Sequence, residues 1–363
     1  VNQAAHRDTG HSVFQRLLNL ARIRGEDFNL TLSRYAVERL LYRLSISQHS
    51  SQFVLKGASL FLVWSGQNYR ATRDADLLGY GDSDPSSMAA VFRQLCDLAP
   101  EADDGIIFRG DSIMAEPIRE EQEYDGVRVK LEALLHTAKI PVQVDIGFGD
   151  AITPSADEVD FPTLLPDLPA PHLRAYPRYT MVAEKLEAVV RLGMANSRMK
   201  DFYDLWLVSR LFDFDGATLS RALRNTLDRR ATALKGALPT ALTSEFHDDR
   251  LKRTQWRAFV RRSRPDDAPA ELEPVVRVIA AFLAPIIKAL HGAFSTTTAL
   301  ATRWSLGLTL PFCQRGAQAA QRLHGKDVRL SAGHGDELKL CRPIHEAVQV
   351  SQDGSDFAAG TLH

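Results

Sequence analysis

Asp74 and Asp76 are separated by one residue, so on a strand both carboxylates leave one face while Ala75 and Leu77 leave the other. Carboxylates held side by side repel each other unless a cation lies between them. A third acid, Asp145, stands in Val142-Gln143-Val144-Asp145-Ile146-Gly147-Phe148. There Val142, Val144, Ile146 and Phe148 make an apolar face and Asp145 shares the other with Gln143 and Gly147. Pairing the two segments brings three hard oxygen donors together, a set suited to Mg2+, which keeps waters and substrate phosphates in its shell. Asp74, Asp76 and Asp145 are the candidate metal ligands.

A phosphate-binding end is offered by Lys56-Gly57-Ala58-Ser59, a small-residue turn opening a helix. Such a turn presents backbone N–H groups and the positive end of a helix dipole, and Ser59 adds a hydroxyl. Each piece alone has an ordinary explanation: a strand-to-helix turn, or a solvated edge for the aspartates. Their order, followed by a strand-borne Asp, favours cation and phosphate chemistry. Farther along, helical spacing sets Lys185 beside Met181, Ala188, Val189 and Leu192, at the border of an apolar stripe. Its ammonium either snorkels into water or reaches into a cleft as a point charge for phosphates. Asp201 and Asp204 are i and i+3 on one helical face. They serve as helix cap and first-turn acid, or one of them orients Lys185 or the nucleotide; a structural Asp201 and a functional Asp204 are compatible.

The elements needed to position these groups are readable from periodicity. Two helices are expected within residues 1–50, one capped by Ser12 with Phe14, Leu17, Leu18 and Ala21 on one face, the other capped by Ser33 with Val37, Leu40, Leu41 and Leu44. Phe53 to Leu55 reads as a strand, and 70–77, 127–134 and 141–148 as others. Pro162, Pro166, Pro169, Pro171 and Pro177 exclude a helix or central strand and predict a link over 161–178. Helical patterns then dominate 179–290. The expected fold class is α+β: N-terminal helices (1–50) packing on a mixed-sheet core (51–160), the link, a helical domain completing the site, and an atypical tail (291–363).

Composition limits the alternatives. The 363 residues hold 44 basic and 45 acidic side chains, so any attraction to nucleic acid must be local. Residues 101–160 are strongly acidic, whereas 221–265 carry 12 Lys/Arg against four Asp/Glu with Trp256 and Phe259 interleaved, a pattern that suits an RNA backbone or a solvated helix face. Three scattered cysteines exclude a disulfide framework and point to a reducing cytoplasm. Residues 1–20, beginning at Val1 rather than an initiator Met, lack the apolar core of a signal peptide. The apolar run 278–287 is too short for a membrane span and contains Pro285, so no membrane association is expected. In the tail, Cys313, His324, Cys341 and His345 lack the close paired spacing of structural zinc sites.

The strings FVLKGASLFLVW, RATRDADL, VDIGFGD, VAEKLEAVVRLG and NSRMKDFYDLW, in this order from about residue 50 to 290, resemble the AbiEii/AbiGii toxin family of nucleotidyltransferases in the polymerase-β-like superfamily. The resemblance implies a polymerase-β-like core and a Mg2+-dependent toxin of a bacterial toxin–antitoxin or abortive-infection system. Such a toxin joins an NTP-derived nucleotide to an acceptor, the tRNA 3′ end, and so blocks translation. It further implies that Asp74, Asp76 and Asp145 hold the ions and that Lys56, Gly57, Ser59, Lys185 and Asp201 bind the nucleotide. Asp204 joins the catalytic set, and a cognate antitoxin is the implied partner. Ala58 departs from the second glycine that commonly follows Lys-Gly in the family. Transfer to a protein hydroxyl or a small molecule, or a catalytically silent nucleotide-binding module, are the competing readings.

Overall fold

A computed structural model describes residues 3–118, 126–234, 238–292 and 303–304, all within one compact unit of the chain. In chain order the elements are α1 (Gln3–Arg24), α2 (Phe28–Ser45), β1 (Phe53–Lys56), α3 (Leu60–Ser65), β2 (Ala75–Gly79), α4 (Pro85–Asp97), β3 (Ile106–Pro117), β4 (Gly126–Leu135), β5 (Ala138–Phe148), β6 (Asp157–Asp160) and β7 (His172–Ala175). The helical half follows with α5 (Arg178–Leu192), α6 (Met199–Leu211), β8 (Phe214–Asp215), α7 (Gly216–Arg229), α8 (Ser244–His247), α9 (Arg250–Ser263), α10 (Leu272–Gly292) and β9 (Arg303–Trp304), which pairs with β8. Apart from residues 291–292 and 303–304, the tail and its four candidate zinc ligands lie outside the described residues.

Seven strands form one mixed sheet in the order β3-β4-β5-β2-β1-β7-β6. The β2–β5 and β1–β7 pairs are parallel and the other neighbours antiparallel. Alternation decides which face is covered: Val127, Val129 and Leu131 of β4 and Ile140, Val142, Val144 and Ile146 of β5 are buried beneath α2 and its neighbours. The polar positions between them lie on the opposite face. With Ala75 beside Val144 and Leu77 beside Ile146 on the apolar side, Asp76 must fall beside Asp145 on the polar side.

Several boundaries differ from expectation for physical reasons. Helix α1 begins nine residues before Ser12, and α2 is capped by Asp27, whose carboxylate accepts the Leu30 N–H at 2.9 Å. Ser33 instead sits inside α2 and donates to the Asn29 carbonyl, the usual back-bond of a mid-helix serine. Asp74 immediately precedes β2 rather than lying within it. The stretch read as a link contains β7, which Pro171 and Pro177 bracket without entering, so no ladder N–H is lost. Helix α10 runs through Pro285 and is long and apolar enough to cross a membrane, but it buries Val275, Val276, Ile279 and Leu283, and it packs against α6 and α7.

Two apolar clusters result. One joins α1, α2, α4 and the sheet; the other joins α5 to α10 and also takes in Phe61 of α3 and Tyr69 of the following loop.

Candidate active site

One row of side chains crosses the polar face of the sheet. Arg128 of β4 pairs in register with Asp145 of β5, Asp145 with Asp76 of β2, and Asp76 with Lys56 of β1. The row reads cation, anion, anion, cation, but its two ends behave differently. Arg128 grips both Asp145 oxygens, at 2.8 and 2.7 Å. Lys56 turns away from Asp76 and donates to Asp150 at 2.9 Å, with Glu184 of α5 at 4.0 Å. Asp76 is left beside Asp145 with no hydrogen bond or ion pair to its carboxylate among the described residues, and the same holds for Asp74.

Both free acids titrate above the ordinary carboxylate range. For Asp74 the causes are burial and then the charges of Asp145 and Asp76. For Asp76 burial comes first, opposed by Lys200 and Lys56 and reinforced by Asp145. A site that raises the cost of its own ionisation is one a bound cation would relieve.

The Lys56-Gly57 turn packs directly on this acid. Gly57 has φ +80°, and a Cβ there would lie 2.7 Å from Asp76 Cγ, so only glycine fits both the conformation and the space. Past the turn, the N–H groups of Leu60, Phe61 and Leu62 bond back to the carbonyls of Gly57, Ala58 and Ser59. Ser59 lies buried at the start of α3, its hydroxyl donating to the Lys56 carbonyl at 3.3 Å. A cleft of about 430 Å3 opens beside Ser59 and Asp74, between α2, α3 and residues 161–164.

The helical half supplies a second charged cluster. Lys185 does not snorkel: its Nζ lies 2.7 Å from Asp201 and 2.9 Å from Asp204, two carboxylates buried within α6. Arg70, four residues before Asp74, forms a fork to Asp204 at 2.8 and 2.9 Å, and Arg198 reaches Asp201 at 2.8 Å. Burial opposes the charge of Lys185, but the two aspartates more than offset it and hold the ammonium above its ordinary range. Asp201 caps nothing; Arg198 occupies the cap position and Asp201 serves as an ion-pair acceptor. A third cluster surrounds Lys56: Asp150 also accepts from Arg230, which bridges to Glu187, while Tyr176 donates to Glu184 at 3.0 Å.

The structure therefore brings Gly57, Asp74, Asp76 and Asp145 together, with Lys56 directed away and Lys185, Asp201 and Asp204 joined to one another. Among the described residues no three His, Cys, Asp or Glu side chains form a preformed metal cage. The donor set present, two unpaired carboxylates, fits a divalent ion completed by phosphates and water, which is how Mg2+ is usually bound. Spacing does not reach Arg70, Arg128 or Asp150, although Arg70 and Asp150 lie at the edges of the strings RATRDADL and VDIGFGD.

Residues 39–282, about two thirds of the chain, match the family model described as nucleotidyl transferase AbiEii toxin, type IV TA system. The chain belongs to this family. It is an AbiEii-type nucleotidyltransferase, the toxin class of a type IV toxin–antitoxin pair, which implies an antitoxin partner. Among solved structures it is similar to a protein from H. pylori described as a candidate nucleotidyltransferase. The two are 13% identical with a TM-score of 0.40, covering 70% of this chain and 93% of that one. It is also similar to JHP933 from Helicobacter pylori, at 12% identity and a TM-score of 0.38, over 70% and 90%. These likenesses are loose, and AbiEii membership rests on the family match. A search of curated proteins finds no match.

Proposed function

We propose that this AbiEii-type enzyme transfers a nucleotide from an NTP to an RNA acceptor, the tRNA 3′ end, in the cytoplasm. The observation that carries the reading is the pair of unpartnered carboxylates, Asp74 and Asp76, set against the Gly57 turn. Asp74 and Asp76 would hold a divalent ion, Mg2+ by its preference for oxygen donors, which when bound neutralises phosphate charge and acidifies an attacking hydroxyl. The Gly57 turn and Ser59 border the space for the phosphates. Arg128, forked onto both Asp145 oxygens, holds that side chain in place beside Asp76. The acceptor oxygen bonds to the α-phosphorus as the bond to the β-phosphate oxygen breaks; pyrophosphate leaves and the hydroxyl proton passes to solvent.

Support for an RNA acceptor comes from α9. Arg250, Arg253, Arg257 and Arg261 recur at helical spacing and are exposed, whereas Trp256 and Phe259 are buried in the core and cannot stack on bases. The surface is thus a phosphate-tracking stripe without aromatic platforms.

Incubating the protein with each labelled NTP, Mg2+ and either total RNA or total protein tests the reading. Label in tRNA is expected. Label confined to protein would reject the RNA acceptor, and no incorporation with any NTP would reject nucleotide transfer.

A further inference from the structure

Buried ion pairs give up a member only at a large energetic cost, so a polyanionic substrate should be met by a cation that is not already engaged. Five cations surround the aspartates in the sheet and helical clusters, and each is held by a carboxylate: Lys56 by Asp150 at 2.9 Å, Arg70 by Asp204 at 2.8 Å, Arg128 by Asp145 at 2.7 Å, Lys185 by Asp201 at 2.7 Å, and Arg198 by Asp201 at 2.8 Å. Lys200 differs. It is exposed, and among the described residues it has no hydrogen-bonding or ion-pair partner.

Its position is fixed by α6. Lys200 and Asp204 are four residues apart and share a helix face. On that face Asp204 receives Arg70 from the segment leading to Asp74. Lys200 is also the foremost cation acting on Asp76, and it acts on Asp74. Arg73 also has no partner among the described residues, but it lines the adjoining cleft and is not among the principal charges at either carboxylate.

We propose that Lys200 is the cation that meets the triphosphate of the incoming nucleotide, while Lys185 serves as a buried positioning residue. This rests on the nucleotide-transfer reading. A flexible ammonium on an exposed stem can follow phosphates into place and release pyrophosphate without breaking a buried pair.

The test compares wild type with Lys200→Met, Lys200→Arg and Asp76→Ala, measuring transfer of each NTP to total RNA and its inhibition by inorganic triphosphate. Lys200→Met should lose about tenfold to a hundredfold in kcat/KM, the range for a charge-assisted bond. The loss should appear mainly in the NTP KM, with weaker inhibition by inorganic triphosphate, an unchanged Tm and partial rescue by Lys200→Arg. If Lys200→Met stays within about twofold of wild type while Asp76→Ala is inactive, the proposal fails and nucleotide transfer stands. If the KM for RNA rises instead, or inorganic triphosphate inhibits as before, Lys200 meets another group and the proposal is overturned. If Asp76→Ala remains fully active, the nucleotide-transfer reading falls and the proposal with it.

Discussion

Gly57 and Asp76 adjoin so closely that a side chain on the first would occupy the space of the second's carboxylate. The turn and the acid come from separate strands of the sheet, so this contact sets the position of each by the other. Gly57→Ala should displace Asp76 and strain a backbone at positive φ. We expect a stability loss of about 1–3 kcal/mol, and a fall in nucleotide transfer on the order of a hundredfold from the misplaced acid. Denaturant melts read the first, and a transfer assay on the folded fraction reads the second.

Asp204→Asn leaves Arg70 and Lys185 without the carboxylate they share. Removing one member of a buried charge cluster costs about 3–5 kcal/mol, and urea unfolding at neutral pH should show a loss of that size. Equal midpoints for variant and wild type would mean that the cluster carries no such weight.

The same residue gives a pH dependence. Burial alone would raise the Asp204 carboxyl, but Arg70 and Lys185 together hold it well below the carboxylate range. Its stabilising contribution is therefore complete above the unfolded value of about 4 and is lost as pH falls below that value, because the unfolded chain then binds the proton first. In acid titrations followed by circular dichroism, the stability gap between wild type and Asp204→Asn should narrow below that value.

Arg128→Ala releases Asp145 from its fork. The pair is partly exposed, with side-chain accessibilities of 34% and 22%. The stability cost should be no more than about 1 kcal/mol after solvent screening. The larger effect should fall on metal dependence: a freed Asp145 joins Asp74 and Asp76 as a donor, and half-maximal transfer should occur at lower Mg2+ concentration. An unchanged Mg2+ titration would show that Asp145 supplies field rather than ligation.

Replacing Arg253 and Arg261 on α9 with Glu should weaken RNA binding uniformly across sequences. The steepness of its salt dependence should fall by about one for each phosphate that is no longer neutralised. The NTP KM should stay constant. Filter binding at several salt concentrations checks this.

Much of this arrangement is legible in the amino-acid sequence, and the reason is the pleat. Alternation in 127–134 and 141–148 specifies two strands, and the apolar side of β2 and β5 then brings Asp76 beside Asp145. Helices α5 and α6 are readable from their stripes, so Lys185, Asp201 and Asp204 could be named as candidates. Who pairs with whom is not readable. Arg128 reaches Asp145 through antiparallel register, Arg70 reaches Asp204 across 134 positions of chain, and Asp150 captures Lys56 from a loop. Local spacing carries no trace of such pairings. β3 escaped because its outer half is exposed and interrupted by Gly110, while α4 has a legible start in the Asp84 cap before Pro85.

The loop between α3 and β2 has a further consequence. Tyr69 sends its ring into the helical half's core, its carbonyl accepts from Tyr203 and Asp266, and Arg70 follows with its grip on Asp204. The segment that presents Asp74 is thus moored to α6, not to the sheet it is about to enter. A chimera joining this sheet to a foreign helical half would inherit every acidic residue of β2 and β5 yet lose the anchorage of the first aspartate, unless the graft brought its own buried acid and hydroxyl to the same two places. The two halves are therefore not interchangeable parts.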